Sequence, residues 1–509
     1  MQTSVLEYLE HTAARLPDKA AFFDDKKIIT FRELRNLSLN LSLEIENAIG
    51  ASHRPVLICL PKAAESIIAF MGTLYSGNFY TPTDQRFPKE KLAAIADALK
   101  PAAVIGNTAG MHKIKEIKLL RALPFINIEH IDQGISARDS GRLIERILDT
   151  DPVYVFFTSG STGVPKGVII NNHNIIDYID WACEKFDIHE HTVMGNQSPF
   201  YFDISTQDIY AALKTGASLG IIPSQYFAFP VKALEFISRN KINFLYWVPS
   251  AYIHIANLKL LDEYPLPDVR LMMFGGEVMP VKHLHYWQEH LTGLKTVINV
   301  YGPTEATVNC TYYIADRTFS EDEALPLGSA CGNTGLLVLD ENDREILPDK
   351  KNVPGELCVY GSSLSAGYWM DNEKTAEKFI PNPLNHSYRQ TIYRTGDLVF
   401  YNDRGELAFA GRKDFQIKHL GFRIELGEIE TAAGKLDGVE NVLADYHTGK
   451  KEIVMFYQGN IDKNALQEIL YGILPKYMVP TIYYKLDRFP YNDNGKTDRM
   501  ALRKEYIDD

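Results

Sequence analysis

Cysteine is scarce in this chain and badly placed for cross-linking. Five cysteines in 509 residues, Cys59, Cys183, Cys310, Cys331 and Cys358, show no paired spacing. That excludes a disulfide-stapled secreted scaffold and fits a reducing compartment. Long hydrophobic runs are missing too. No apolar stretch approaches the roughly 18 residues of a bilayer-spanning helix, and no charged-then-apolar leader opens the chain, so the expectation is a cytoplasmic protein without membrane insertion. Positive charge is in deficit: 53 Lys and Arg stand against 65 Asp and Glu, a formal net charge of −12. This argues against nucleic acid or an anionic membrane as the main partner. Repeats of fixed period and low-complexity segments are absent, which excludes solenoids and fibrous architectures.

What is present is the composition of a soluble globular protein, 45% hydrophobic and 23% charged, with length for two to four units at about 100 to 200 residues per domain. Ser4 to Leu16 has helical spacing. Ala20–Phe23 and Lys27–Thr30 read as hairpin arms, and Thr30 with Glu33 has the spacing of a capping box. Strand-like Val56–Leu60, helical Ala63–Ser76, strand-like Phe79–Pro82, helical Lys91–Leu99 and strand-like Ala102–Ile105 then alternate. This order predicts an α/β fold with mostly parallel sheets covered on both faces. From Gly355 the pattern turns to short alternating strands, a β-rich subdomain, and from Gly421 to a small α+β domain of roughly a hundred residues.

One stretch carries chemistry. Tyr154 to Phe157 is apolar and strand-like, and it breaks into Thr158-Ser-Gly-Ser-Thr-Gly-Val-Pro-Lys166-Gly167. Glycines let backbone N–H groups approach phosphate oxygens, hydroxyls add donors and Lys166 adds a cation, so a nucleoside triphosphate is expected. It is not a Walker A loop, because Lys166 is followed by glycine rather than Ser or Thr. These ten residues resemble the phosphate-binding signature of the adenylate-forming enzymes: the acyl-CoA synthetases, the luciferases and the adenylation domains of nonribosomal peptide synthetases. Other motifs follow in the family's order, and the resemblance covers nearly the whole chain.

The resemblance implies that Thr158, Ser159, Gly160, Ser161, Thr162 and Gly163 bind ATP with Lys166. In Asn299-Val-Tyr301-Gly302-Pro-Thr304-Glu305, Tyr301 offers a face for a purine and Glu305 a hard oxygen ligand for Mg²⁺. Asp397, expected in a tight glycine turn, matches the residue that accepts the ribose hydroxyls, and Arg412 matches a ribose or phosphate contact. The implied division is residues 1–412, an adenylation domain, and 413–509, a mobile C-terminal domain hinged at Asp414. That second domain carries Lys496, which matches the lysine joining substrate carboxylate and α-phosphate. Catalysis is thus expected of Lys496, Lys166 and Glu305.

Asp203, amid aromatics, either caps a helix over Thr206–Leu213 or pairs with a cation. Among family members that activate amino acids, the matching residue holds the substrate's α-ammonium group. Ile204, Gln207, Trp247, Met273, Gly275, Val300, Val308 and Asn309 match the positions lining the side-chain pocket. The two amides could bind a polar side chain, Trp247 could shorten the cavity, or all could simply pack on one another. The expected function is ATP-dependent activation of an amino acid as aminoacyl-AMP, then transfer to a phosphopantetheine thiol on a carrier protein supplied in trans. An acid–CoA ligase and a non-catalytic nucleotide-binding regulator are the alternatives. His189, His191, His283, His285 and His290 lack the i, i+4 spacing with a third ligand that a metal site needs.

Overall fold

The computed structural model describes residues 2–158, 165–321, 323–413, 416–490, 497 and 499–508. Contacts divide the chain into two compact units. One comprises Met1–Gln85, Leu99–Phe156 and Gly167–Lys413; the other comprises Arg86–Ala98, Phe157–Lys166 and Asp414–Asp509. The break after Lys413 lies one residue beyond the expected boundary. The second unit also takes in two excursions, 86–98 and 157–166, that the expected division gave to the first domain.

The first unit opens as its periodicity dictates, with a helix at Leu6–Arg15 and antiparallel strands Ala20–Phe23 and Ile28–Thr30. The helix Phe31–Ile49 starts at the capping box: the Glu33 amide donates to Thr30 Oγ1 (3.2 Å) and the Thr30 amide to Glu33 Oε2 (2.8 Å). Two of the four orphan donors of a helix start are thereby satisfied. Strands Phe125–Asn127, Ala103–Gly106, Pro55–Cys59, Phe79–Thr83, Pro152–Thr158 and Lys166–Asn171 lie in that order in one sheet. A larger sheet has a parallel centre of Thr296–Tyr301, Leu271–Gly275, Phe244–Trp247, Val193–Asn196, Ser218–Ile221 and Ala20–Phe23, with antiparallel strands at its edges.

That larger sheet is buried on both faces, and its residues show it by alternating between two apolar clusters. Phe244 and Tyr246 belong with Met273, Ile298 and Val300 in one cluster. Leu245 and Trp247 belong with Met272, Phe274 and Val297 in the other. Strands Thr334–Leu339, Gly355–Gly361, Thr391–Tyr401, Phe379–Pro381 and Leu407–Arg412 form an all-antiparallel sheet, the β-rich part read from the sequence.

The second unit is α+β. Strands Val439–His447, Glu452–Gly459 and Ile482–Lys485 form a sheet, and Ile429, Met455, Leu466 and Leu470 of its strands and helices share a buried core. The helix Arg499–Tyr506 is tied to it by charge: Arg499 bonds Glu430 (2.6 Å) and Arg503 bonds the buried Asp445 (3.0 Å). No helix among the described residues is long and apolar enough to cross a membrane.

Candidate active site

Open α/β sheets place ligands beyond the carboxyl ends of their parallel strands. Four neighbouring strands of the larger sheet end at Asn196, Trp247, Gly275 and Tyr301, and Met273, Gly275, Asn299, Val300 and Tyr301, singled out from the sequence, lie on the last two of them. At one side of this edge the Tyr301 hydroxyl donates to Asp397 Oδ2, and Arg412 Nη1 donates to Asp397 Oδ1 at 2.6 Å. Asp397 and Arg412 are cross-strand register partners, so the pairing of Thr391–Tyr401 with Leu407–Arg412 brings them face to face. The aspartate was expected in a glycine turn and instead lies within a strand. Gly396, at φ +73°, and a register shift at Leu398/Val399 distort that strand around it, an irregularity that makes a glycine look like a turn. Asn299 is buried with its Nδ2 on the Pro326 carbonyl (2.8 Å).

Glu305 follows the strand Thr296–Tyr301 on a single 3₁₀ turn, Thr304–Ala306. It is 0% exposed and accepts a hydrogen bond from the Tyr368 hydroxyl at 2.8 Å. The chain is strained immediately after it: Thr307 and Val308, both β-branched, have φ of +53° and +66°. The Asn309 amide bonds the Thr307 carbonyl (2.9 Å), closing a three-residue turn around Val308. Gly302 lets the strand end pass this turn, since a Cβ there would stand 2.4 Å from the Val308 carbonyl oxygen and 2.5 Å from Asn309 Cα. Among the described residues no group of three or more His, Cys, Asp or Glu could hold a metal. The buried Glu305 carboxylate nonetheless fits Mg²⁺, which takes one or two protein carboxylates and completes its shell from nucleotide phosphates and water.

Asp203 occupies the N-cap position of the helix Ile204–Thr215, which starts two residues before the expected Thr206. The aspartate has helical dihedrals, φ −65° and ψ −23°, and its side chain accepts no cap hydrogen bond. Its charge instead faces three phenols. Burial raises the pKa values of Tyr154, Tyr178 and Tyr246 far above the ordinary tyrosine range, and the Asp203 carboxylate adds to the rise in each. Gln207, one helical turn from Asp203, accepts from the Tyr178 hydroxyl (2.5 Å) and donates to Met273 Sδ (3.4 Å). Asn309 Nδ2 donates to the same Tyr178 hydroxyl (2.6 Å), and the Tyr246 hydroxyl donates to Asn309 Oδ1 (3.0 Å). Ile204, Val300 and Val308 are buried in the cluster that also contains Tyr246 and Met273. Gly275 pairs with Val300, whose carbonyl oxygen would lie 2.6 Å from any Cβ added at the glycine.

Trp247 does not join this group. It donates to the Gly195 carbonyl (2.8 Å) and packs with Phe227, Tyr252 and Trp287 in the cluster on the other face of the sheet. It therefore cannot shorten a pocket beside Asp203. The residue that points there is its neighbour Tyr246, the register partner of Met273. Tyr178, on the helix Asn172–Lys185, was also missed, and no local sequence signal marks it.

Ser159, Gly160, Ser161, Thr162 and Gly163 of the phosphate loop, the hinge Asp414 and Lys496 lie outside the described residues. Thr158 ends the strand before that loop and its buried hydroxyl has no partner among the described residues; Lys166 begins the strand after it and is buried. The histidines serve other groups, His283 meeting Asn257 Oδ1 (2.8 Å) and His290 the Tyr286 carbonyl (2.7 Å).

The chain belongs to the AMP-binding enzyme family, whose model matches residues 9–369. It is 34% identical over 508 residues to bacitracin synthase 1 of Bacillus licheniformis, covering 97% of this chain and 9% of that protein. It is 30% identical to the D-alanine–D-alanyl carrier protein ligase of Bacillus licheniformis, covering 98% of this chain and 99% of that one. The chain thus spans about a tenth of the multienzyme it resembles. Among solved structures, the Vibrio cholerae adenylation domain AlmE in complex with glycyl-adenosine-5′-phosphate superposes with a TM-score of 0.84 at 22% identity, covering 99% of this chain and 98% of that one.

Proposed function

We propose that the chain activates an amino acid as aminoacyl-AMP and passes it to the phosphopantetheine thiol of a carrier protein supplied in trans. Asp203 carries this reading: a non-capping carboxylate at a helix start, beside buried phenols, suits an ammonium group. The end-to-end match to a D-alanine–D-alanyl carrier protein ligase supports both the amino acid and the separate carrier. The multienzyme matches and the glycyl-adenylate neighbour point to the same chemistry.

In the first half-reaction a carboxylate oxygen attacks the α-phosphorus of ATP, the new O–P bond forms and pyrophosphate leaves. In the second, the thiol sulfur attacks the acyl carbon and AMP leaves with the bonding electrons. Both steps bring anions together, so stabilising charge where it gathers is the main task. Asp203 holds the α-ammonium and thereby aims the carboxylate. Asp397 and Arg412 hold the ribose end, Tyr301 lies against the purine, and the Thr158–Gly163 loop with Lys166 holds the phosphates. Lys496 neutralises carboxylate and α-phosphate together, and Asp414 is the pivot between the two steps. Glu305, oriented by Tyr368, would hold Mg²⁺, which would supply charge neutralisation on the phosphates when bound.

ATP–pyrophosphate exchange over the free amino acids tests the reading. Exchange with one or a few amino acids, and thioester formation with free pantetheine, is the expected result. Exchange with aryl or fatty acids alone would replace it with an acid–CoA ligase, and nucleotide binding without AMP formation with a regulator.

A further inference from the structure

The polar pocket beside Asp203 is closed by its own side chains. Gln207 and Met273 are 0% exposed, Tyr246 1%, and Tyr178 and Asn309 3%, so these side chains are packed against their neighbours. Such a filled site is stable only because its polar atoms satisfy one another, and the Tyr178 hydroxyl is the common member. It gives its proton to Gln207 Oε1 and takes one from Asn309 Nδ2, joining two amides that come from different elements, a helix and the strained turn after Glu305. The Tyr246 hydroxyl completes the chain on Asn309 Oδ1. Asp203 itself, one helical turn from Gln207, is partly exposed at the rim.

We propose that Tyr178 is a positioning residue that locks Gln207 and Asn309 into a plug under Asp203. The substrate is therefore a compact acid, with a side chain no bulkier than that of valine or proline. A larger side chain has to displace the plug. Each buried donor or acceptor left unpaired then weakens binding by roughly 5- to 150-fold. The proposal uses the amino-acid reading above only for the class of acid; the size limit stands apart from it.

The test is ATP–pyrophosphate exchange by the wild type, Tyr178→Phe and Tyr178→Ala on size-matched pairs: glycine and acetate, alanine and propionate, valine and 3-methylbutanoate, phenylalanine and 3-phenylpropanoate, with proline, tryptophan and arginine. The wild type is expected to favour a compact member over phenylalanine, tryptophan and arginine by at least 100-fold in kcat/KM. Tyr178→Phe keeps the volume and loses the lock, so that ratio narrows about 10-fold, mainly through KM, and Tyr178→Ala narrows it further. A wild type that prefers a large acid of either class overturns the proposal, as does a Tyr178→Phe ratio equal to the wild type's. Compact deaminated acids used as well as their amino partners would sink the amine reading and leave the size limit supported. Independently of turnover, a crystal structure of the wild type with Tyr178 on both amides supports the plug. One with Tyr178 turned away over a cavity larger than a valine side chain overturns it.

Discussion

Asp397 and Arg412 face each other as register partners on neighbouring strands, Nη1 to Oδ1 at 2.6 Å, with the arginine side chain 11% and the aspartate 4% exposed. Removing one partner of so buried a pair costs about 3–5 kcal/mol, because the other charge is left uncompensated. Arg412→Ala is expected to lower the unfolding free energy on that scale and to raise KM for ATP at least 10-fold. Asp397→Asn together with Arg412→Ala should cost less than the sum of the singles. Urea titration of the four proteins checks this, and additive losses would show that the pair is not coupled.

Tyr368 donates a hydrogen bond to the buried Glu305 carboxylate, and bonds to charged groups contribute about 1.5–3 kcal/mol. Tyr368→Phe is expected to raise the Mg²⁺ concentration needed for half-maximal exchange by about 10-fold or more, with little change in maximal rate. Glu305→Gln keeps the shape and loses the charge, and it should lower the rate about 10²-fold even at saturating Mg²⁺. The Mg²⁺ dependence of exchange separates the two effects.

Asp203→Ala should lower kcat/KM for the preferred amino acid at least 10²-fold, the scale of a desolvated ion pair losing its partner. Exchange with the deaminated acid should not fall, since that acid offers no ammonium. Equal losses on both substrates would show a structural role for Asp203.

Asp208, one residue beyond the pocket glutamine, is buried with its Oδ2 on Asn196 Nδ2 at 2.9 Å. Burial pushes its carboxyl up to about 7, against the pull of the Asn196 hydrogen bond and of the Lys62 charge. Between about pH 4, where an unfolded aspartic acid ionises, and about pH 7, the folded state keeps a proton that the unfolded state has released. Stability from this group is therefore full below pH 4 and declines as pH rises to 7, by at most about 1.4 kcal/mol per unit. Asp208→Asn should flatten the stability profile between pH 5 and 7 relative to wild type and be the more stable protein at pH 8. Urea midpoints at pH 5, 6, 7 and 8 give the answer, and parallel profiles would refute it.

Gly302→Ala places a Cβ 2.4–2.9 Å from three backbone atoms of the turn at Val308–Cys310, none of which can swing aside. Overpacking of this kind costs about 1–3 kcal/mol or more. Thermal unfolding should show a lowered midpoint, and exchange should fall because Glu305 precedes the displaced turn and Asn309 lies within it. An unchanged midpoint would mean that the turn has room to move.

Local rules carried far along this chain. Thr30 and Glu33 form the capping box their spacing announces, and the alternating elements from Val56 to Ile105 fall within a residue or two of their expected bounds. Local rules failed where two alternatives satisfy the same short pattern. Gly396 and Asp397 look alike as a turn or as a distorted strand, and only the pairing of Asp397 with Arg412 and of Leu398 with Gly411 decides between them. Asp203 does take the N-cap position of the helix Ile204–Thr215, but its backbone is helical and its side chain makes no cap hydrogen bond, which spacing alone does not reveal.

Leu245-Tyr-Trp shows the limit most plainly. A strand in a sheet covered on both faces is apolar throughout, so no polar residue reveals which side is which. Hydrophobic pattern, turn residues and motif order on their own determined the fold class and the order of its elements, because these follow from properties of neighbours in the chain. The face on which Trp247 lies, the meeting of Asp397 with Arg412, and the joining of Gln207 to Asn309 through Tyr178 were decided only by tertiary structure. Strand register and helix placement bring together groups up to 131 residues apart, and nothing in their local sequence encodes that distance.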